Sequence, residues 1–249
     1  MASEKDVVAQ KIVTRLAEEN VKFLSVQEDS GFRKLVPALL QKGVENLNLS
    51  MFGEDMRGAI LNALADEYLR RGNLHDAAKA YILAGNKMKL SFVGQDFEKI
   101  GLVDNAIEAY KMGGDDARLL KVGLKCMEDG RFASSIRAFK AINSAEMLTK
   151  LGQECMDKEK LDYAFEIFSA VADGSKLTEL GDKCLVQQQY GYALKAYSIV
   201  RNSEKLNKVG DVCLREGLLN AAIEAYTLAQ NEIMVQFIRE NFGQSAVVK

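Results

Sequence analysis

An internal repeat with a period of 29 is the feature of this sequence that most constrains its fold. The four cysteines lie at positions 126, 155, 184 and 213, so the interval between neighbours is constant. Shifting the chain by the same interval aligns a column of six leucines and a column of six aromatic residues. The two columns are Leu61, Leu90, Leu119, Leu148, Leu177 and Leu206, and Tyr81, Tyr110, Phe139, Phe168, Tyr197 and Tyr226. Self-similarity of this kind is typical of stacked supersecondary units.

Each unit has the pattern of two short helices. Leu177, Leu180 and Cys184 follow the i, i+3, i+7 spacing of one helix face, and Ala193 and Tyr197 continue it in a second segment. Glycine lies between the two segments in four units and can supply the left-handed conformation that ends a helix. These turn positions are Gly72, Gly101, Gly130 and Gly217, with Glu159 and Gln188 in the other two units.

Two further columns indicate close packing and helix starts. A small residue falls four positions after each leucine, which allows the two helices of a unit to approach. A residue of N-cap type precedes the first helix of each repeat. Its side chain can accept a hydrogen bond from a free backbone N–H of the first turn. The small residues are Ala65, Gly94, Gly123, Gly152, Gly181 and Gly210, and the predicted caps are Asn86, Asp115, Ser144, Asp173, Asn202 and Asn231.

The pattern Leu-x2-[Leu/Val]-Gly-x2-Cys-x3-Gly-x-[apolar]-x2-Ala-x3-[Tyr/Phe] resembles the tetratricopeptide repeat. The first unit is most similar, with Leu61, Leu64, Ala65, Tyr68, Gly72, Ala77, Tyr81 and Ala84 in register. The period is shorter than the about 34 residues usual in that family. The second helix is not followed by proline, and later units carry cysteine where an aromatic residue is usual. Helical-hairpin arrays of vesicle-coat and transport proteins are therefore an alternative resemblance.

The resemblance implies an all-α fold, a right-handed superhelix of six helix-turn-helix repeats with helical caps. The expected repeats are 58–86, 87–115, 116–144, 145–173, 174–202 and 203–231. Residues 1–57 are expected to form an N-terminal cap, with a helix over 4–24 that carries Val8, Ile12, Leu16 and Phe23 on one side. The cap includes a degenerate copy of the unit over 32–55. Residues 232–249 are expected to form a closing helix over 232–242 and a loose tail.

Composition argues against nucleic-acid and membrane functions. Lys and Arg number 33 and Asp and Glu 35, which gives a formal net charge of −2 without basic excess. No apolar run reaches the roughly 18 residues of a membrane span, and the N-terminus lacks an apolar signal core. We therefore expect a cytoplasmic protein that does not insert into membranes.

The sequence offers little support for catalysis. His75 is the only histidine, so no second imidazole can share a metal or a proton relay. The four cysteines fall on one face of successive first helices, about 8–10 Å apart, which is too far for a disulfide and too spread for one tetrahedral ion. We expect them to be reduced core residues, and we expect no enzyme activity, cofactor or metal site.

In repeats of the tetratricopeptide type the first helices line a concave groove, and the resemblance places candidate binding residues there. Polar columns lie beside a Leu/Met stripe that suits a peptide or helix of a protein partner. The lysine and asparagine clamp for a C-terminal carboxylate is missing. The candidates are Asn62, Asp66, Arg70, Gln95, Lys99, Leu124, Met127, Gln153, Met156, Asp182, Leu185, Asp211, Leu214 and Arg215.

The sequence thus favours a non-catalytic protein-interaction module that binds a peptide or helix in its groove. Two alternatives remain open. The chain could self-associate as an assembly or regulatory protein through an incompletely capped end, or it could bind RNA as some helical repeats do, although its acidic pI near 5.7 disfavours this.

Overall fold

The computed structural model describes residues 35–243, which form fourteen α-helices and one 3-10 helix and contain no β-strand. This confirms the predicted all-helical class for the described chain; the helix expected over 4–24 and the tail from residue 244 lie outside it. In chain order the helices are α1 Val36–Lys42, the 3-10 helix Val44–Asn46, α2 Glu54–Arg70, α3 Leu74–Leu83, α4 Lys87–Lys99, α5 Val103–Gly113, α6 Asp116–Glu128, α7 Phe132–Ala141, α8 Ala145–Asp157, α9 Leu161–Ala170, α10 Gly174–Val186, α11 Tyr190–Ile199, α12 Ser203–Arg215, α13 Leu219–Leu228 and α14 Glu232–Phe242.

Longer and shorter helices alternate, and their starting positions follow the period of the sequence repeat. The even-numbered helices from α4 to α12 each have 13 residues, and the odd-numbered helices between them have 10 or 11. The closing helix predicted over 232–242 is confirmed as α14. The even-numbered helices from α4 to α14 begin, at one constant interval, at Lys87, Asp116, Ala145, Gly174, Ser203 and Glu232.

The predicted N-cap column starts these helices. The side chains of five of its members accept a backbone N–H from three residues ahead, at 3.0–3.3 Å. Each such cap is worth about 1 kcal/mol of helix stability. In the sixth position, before α6, the Asp115 carboxylate accepts a hydrogen bond from the Ser91 hydroxyl. The capping members are Asn86, Ser144, Asp173, Asn202 and Asn231.

Two columns of left-handed residues end the helices. All six predicted turn positions have a positive φ, from 57° at Glu159 to 81° at Gly101. A second column, which the sequence analysis did not identify, lies just before the N-caps with φ between 51° and 68°. Only two of its members are glycine, so four L-residues adopt a conformation that costs about 1 kcal/mol or more. This second column is Gly85, Gly114, Asn143, Ala172, Arg201 and Gln230.

The chain divides into two compact units between Asp116 and Ala117, in the first turn of α6. In the first unit, α1 packs on α2 and each later helix packs on the one before it, up to α5. In the second unit, α7 to α14 also pack sequentially, and α7, α9, α11 and α13 additionally contact one another in order. Each unit is therefore a sequential array of helices.

The aromatic column fills the core within each helix pair. All six of its side chains are fully buried. The small column explains how they fit: a Cβ atom on Gly94, Gly123 or Gly152 would lie 2.5 Å from the ring of the aromatic residue of its own unit. Glycine therefore leaves the space that the ring occupies.

The N-terminal part of the described chain departs from the expected degenerate repeat over 32–55. It contains α1 and the 3-10 helix, but within the described residues no second α-helix lies between α1 and α2. Gly43, with φ 76°, ends α1 and donates its N–H to the Leu39 carbonyl oxygen at 3.2 Å. Asn48 lies one repeat period before Ala77. Its side chain accepts a hydrogen bond from the Ser50 N–H at 3.1 Å and stabilises a turn instead of a helix.

Across residues 35–243, every helix is too short or too polar to cross a membrane.

Candidate functional site

The polar column that includes Asp66 forms a set of intramolecular hydrogen bonds. The Asp66 carboxylate on α2 accepts two hydrogen bonds. One comes from the Tyr81 hydroxyl of α3 at 2.5 Å and the other from the Lys89 ammonium of α4 at 3.1 Å. Asp182 on α10 repeats the arrangement with Tyr197 of α11 and Lys205 of α12, both at 2.6 Å. The carboxylate thus ties its own helix to the next two helices along the chain.

The aspartate of this column occurs only in sequence repeats whose aromatic residue is tyrosine. The Asp211 carboxylate accepts a hydrogen bond from the Tyr226 hydroxyl at 2.7 Å, so three tyrosines of the aromatic column are paired with aspartate. The two phenylalanines have no hydroxyl to donate, and their units carry Leu124 and Gln153 instead. The sequence analysis assigned this column to partner binding, whereas the structure gives its aspartates a role in holding the helices together.

The remaining tyrosine of the aromatic column uses a different acceptor. Gln95 stands in the acid column of its unit, and the Tyr110 hydroxyl donates instead to the Glu98 carboxylate at 3.0 Å. The amide nitrogen of Gln95 is buried and has no partner among the described residues.

Electrostatics strengthen the arrangement around Asp182. Burial raises the pKa of its carboxyl, but the hydrogen bonds from Lys205 and Tyr197 outweigh that effect and the pKa lies below its ordinary value. Burial, the hydrogen bond and the nearby negative charge all raise the pKa of the Tyr197 hydroxyl above its ordinary value. Tyrosine therefore stays the donor and aspartate the acceptor at neutral pH.

Other predicted polar residues are also engaged within the chain. Asn86, the cap of α4, donates to the Asn62 side chain at 2.7 Å. Asn231 donates to Asn207 in the same way at 2.8 Å. In a third unit the Gln153 side chain accepts a lysine ammonium from the next first helix at 2.8 Å. These polar groups are therefore used in part to hold neighbouring helices together.

The predicted Leu/Met stripe is largely covered. Met156 is only 2% exposed, while Leu124, Met127, Leu185 and Leu214 are partly buried against the core of the second unit. These side chains pack adjacent helices together and leave little apolar surface for a partner.

The outermost predicted column stays at the surface. Arg70 pairs with Glu67 at 2.7 Å and Lys99 with Asp96 at 2.7 Å, in both cases one helical turn away. Arg215 is exposed, and its Nε donates to a backbone carbonyl one turn earlier at 3.3 Å. Such exposed ion pairs are worth little stability, so these cations remain available to a partner.

Three of the predicted residues meet in one cleft, which lies in the first of the two compact units. We call this surface the N-terminal cleft; it lies between α1 and the exposed face of α2 and encloses about 440 Å³. Four of its eight lining residues are apolar and four are polar or charged. The cleft is lined by Val36, Pro37, Ala59, Asn62, Ala63, Asp66, Glu67 and Arg70.

An exposed apolar pair, Met88 and Phe92, lies on α4, the helix that is hydrogen-bonded to two residues of the N-terminal cleft. Met88 is 73% exposed and Phe92 53% exposed, and they are one helical turn apart. Asn86 and Lys89 form hydrogen bonds to the cleft residues Asn62 and Asp66, and these bonds hold the first turn of α4 against the cleft wall. Met88 lies between these two anchors in the sequence.

The sequence analysis missed this pair, which we call the Met88–Phe92 patch, although the repeat contains a signal for it. The same two columns carry Ala59 and Ala63 in the preceding unit, both of which line the cleft. On α6, α8, α10 and α12 they carry small or charged residues, for example Glu146 and Lys150, which form an ion pair at 2.6 Å. Large apolar residues at columns that carry only small or charged residues from α6 to α12 indicate a candidate contact surface.

A second exposed apolar pair occurs at the other end of the described chain. Ile233 on α14 is 81% exposed and Phe237 is 46% exposed, at the columns of Met88 and Phe92. The ring of Phe237 makes an edge contact with Phe242 at 6.3 Å between centroids. The cleft on this helix is more polar than the N-terminal cleft, and its lining includes Gln230, Asn231, Glu232, Gln236 and Arg239.

The cysteines belong to the core, as predicted. Cys126, Cys155, Cys184 and Cys213 are buried free thiols. Burial raises the pKa of Cys155 to about 12 and that of Cys184 to about 11. Within residues 35–243, no group of three or more His, Cys, Asp and Glu side chains is arranged to hold a metal ion.

No protein-family model matches this chain, and no curated protein matches it.

Proposed function

We propose that this chain is a non-catalytic protein-interaction module that binds an apolar helix or peptide of a protein partner. The binding surface is the N-terminal cleft together with the Met88–Phe92 patch. The observation that carries the proposal is the exposure of Met88 and Phe92 on α4, whose first turn is hydrogen-bonded to the cleft residues Asn62 and Asp66. A pair of apolar residues one turn apart beside a groove suits the i, i+4 side chains of an amphipathic helix.

The proposed architecture behind this surface is the right-handed superhelix of six repeats over 58–231. The constant interval between helix starts and the recurring Tyr–Asp–Lys contacts support it. In such an array the first helices lie side by side on one surface, so α2 and α4 would present a continuous binding face.

Charge favours a protein partner over nucleic acid. The cleft carries Asp66 and Glu67 beside Arg70, so its polar groups include both signs. A partner helix with an apolar stripe and flanking charges of both signs would complement it. With a formal net charge of −2, the chain lacks the basic excess that phosphate binding needs. We place the protein in the cytoplasm.

Selection of helical peptides from a display library on the full-length chain tests this proposal. Affinity for a selected peptide is then measured by fluorescence anisotropy for the natural chain and for Met88→Lys/Phe92→Lys. We expect this variant to weaken binding at least tenfold. Leu83→Lys is the matched control, since Leu83 is 62% exposed on α3 and does not line the N-terminal cleft. Equal loss in the control, or no loss in the patch variant, would contradict the proposal.

Self-association is the second candidate, and the exposed pair Ile233 and Phe237 favours it. Light scattering after size-exclusion chromatography would give a mass above 27.5 kDa for the natural chain. Ile233→Lys/Phe237→Lys would restore the monomer mass if α14 is the interface. A monomer at all concentrations would exclude this candidate.

A further inference from the structure

A second cleft of the first unit, which we call the α2–α3 cleft, lies between the start of α2 and the end of α3. It encloses about 520 Å³ and shares no lining residue with the N-terminal cleft. A volume of this size with a mainly apolar lining and few polar groups is typical of a small-ligand site. The apolar side chains of the lining are all aliphatic and are those of Val44, Leu47, Leu49, Leu61, Ile82 and Leu83.

The α2–α3 cleft lies where the repeat is incomplete. In the second unit α9, α11 and α13 each pack on the shorter helix before them. The sequence repeat predicts such a helix before α2 as well, but within the described residues the three-residue helix Val44–Asn46 packs on α3 in its place. Ile82 and Leu83, near the end of α3, are 41% and 62% exposed. Aliphatic surface therefore remains open to a ligand at this position.

Arg57 is the only cation among the described residues that line the α2–α3 cleft, and its Nε atom is buried without a hydrogen-bond partner there. The residue one turn earlier is Gly53, which has no side chain to accept from it. The Glu54 carboxylate is 3.8 Å from an Nη atom, and its side chain is 94% exposed. By contrast, the Nε of Arg71 donates to the Glu67 carboxylate one turn earlier at 3.0 Å. Arg57 therefore has a buried donor that needs an acceptor from outside the chain.

We propose that the α2–α3 cleft binds an unbranched aliphatic carboxylate of the medium-chain fatty acid class. The carboxylate accepts hydrogen bonds from the Nε and one Nη of Arg57, in the bidentate geometry that guanidinium groups form with carboxylates. The aliphatic chain lies along the six apolar side chains. Ala84, at the C-terminal end of α3, also lines the cleft, and the negative end of the helix dipole there directs the anionic group toward Arg57. This site goes beyond the proposed peptide site and does not depend on it.

Isothermal titration calorimetry of the full-length chain with octanoate, decanoate and octan-1-ol tests the inference. Decanoate should bind at least threefold more tightly than octanoate, because two more methylene groups are buried. Octanoate should bind at least fivefold more tightly than octan-1-ol, which has the same chain length without the charge. Arg57→Gln should abolish this preference for the acid and leave the affinity for the alcohol unchanged. Arg71→Gln is the matched control, since Arg71 lies outside the cleft and its Nε is already paired, and it should change none of the three affinities.

The apolar part of the site is tested by Leu83→Asn, which is at an exposed position and should weaken all three ligands at least threefold. Several results would overturn the inference: no binding of decanoate, no gain in affinity with chain length, or equal effects of Arg57→Gln and Arg71→Gln. Tighter binding of a peptide that ends in Leu-Leu with a free carboxylate, in competition with decanoate, would assign the cleft to a protein C-terminus instead.

The two proposed sites can be separated with the same reagents. Met88→Lys/Phe92→Lys should bind decanoate as the natural chain does, because neither residue lines the α2–α3 cleft. Arg57→Gln should likewise bind a selected helical peptide with unchanged affinity. A failure of peptide binding therefore leaves the decanoate result unaffected, and a failure of decanoate binding leaves the peptide result unaffected.

Discussion

The ring of Phe168 occupies the space in which a Cβ atom on Gly152 would stand. Its Cε1 atom is 2.5 Å from that position, and the Ile167 side chain is 3.0 Å from it. Gly152 and Phe168 are both buried in the second unit. Glycine at 152 is therefore required by the neighbouring helix, even though it lies inside α8, where alanine has the better intrinsic propensity.

Gly152→Ala should lower the free energy of unfolding by about 1–3 kcal/mol, because the added methyl group forces the Phe168 ring to move. Chemical denaturation of the full-length chain measures this. Gly191→Ala is the control: Gly191 lies in α11 with no atom within 4 Å of an added Cβ, so the substitution should stabilise by about 0.5–1 kcal/mol. Destabilisation of similar size at both sites would contradict the packing that we describe.

Left-handed residues other than glycine offer a second test. Ala172 has φ 54° and Glu159 has φ 57°, conformations in which L-residues are strained. Each should gain about 0.5–1 kcal/mol of stability on replacement by glycine, after the greater entropy of glycine in the unfolded chain is included. Ala133→Gly, in the first turn of α7, should instead lose about that amount. Thermal or denaturant unfolding of the three variants would show whether the signs differ as expected.

Asp182→Asn should reduce stability at pH 7 by about 0.5–1 kcal/mol, a value discounted because nearly half of the side chain is exposed. The folded pKa of Asp182 lies below its unfolded value, so its stabilisation is present above about pH 4 and is lost as pH falls through the folded pKa. The difference from the natural chain should thus disappear in acid. Glu224→Gln, at an exposed site on α13, is the matched charge control, and its loss of stability at pH 7 should be smaller.

The core thiols should be slow nucleophiles. At pH 8 the native chain should react with a maleimide at least a hundredfold more slowly than the unfolded chain, because burial raises the thiol pKa and disfavours the thiolate. A Leu83→Cys variant supplies an exposed thiol as a control in the same experiment. Rapid labelling of Cys155 or Cys184 in the native protein would contradict their place in the core.

Much of the fold could be predicted because it depends on local patterns that repeat. The N-caps, the glycine turns and the aromatic column each follow from residue type and spacing, and the structure agrees at five of the six N-caps, at the turns and along the aromatic column. The second left-handed column was missed because Asn143, Ala172, Arg201 and Gln230 carry no glycine signal. The array imposes that conformation on them.

The candidate site was predicted less well, because exposure depends on neighbouring helices. Asp66 and Asp182 lie in the column that the resemblance assigns to binding, but the tyrosine and lysine that engage them come from other helices. Met156 was expected in the groove and is buried by its neighbours. Conversely, the repeat contains a signal for Met88 and Phe92, but their exposure is what identifies them as candidates.

The site of peptide contact tests the central claim most directly. In the full-length chain labelled with ¹³C at methionine methyl groups, a bound peptide selected on the protein should give intermolecular nuclear Overhauser effects to Met88. The methyl groups of Met127 and Met156, which lie in the column that the sequence favoured, should show none. Contacts to Met127 or Met156 without contacts to Met88 would contradict the assignment of the N-terminal cleft and the Met88–Phe92 patch as the binding surface.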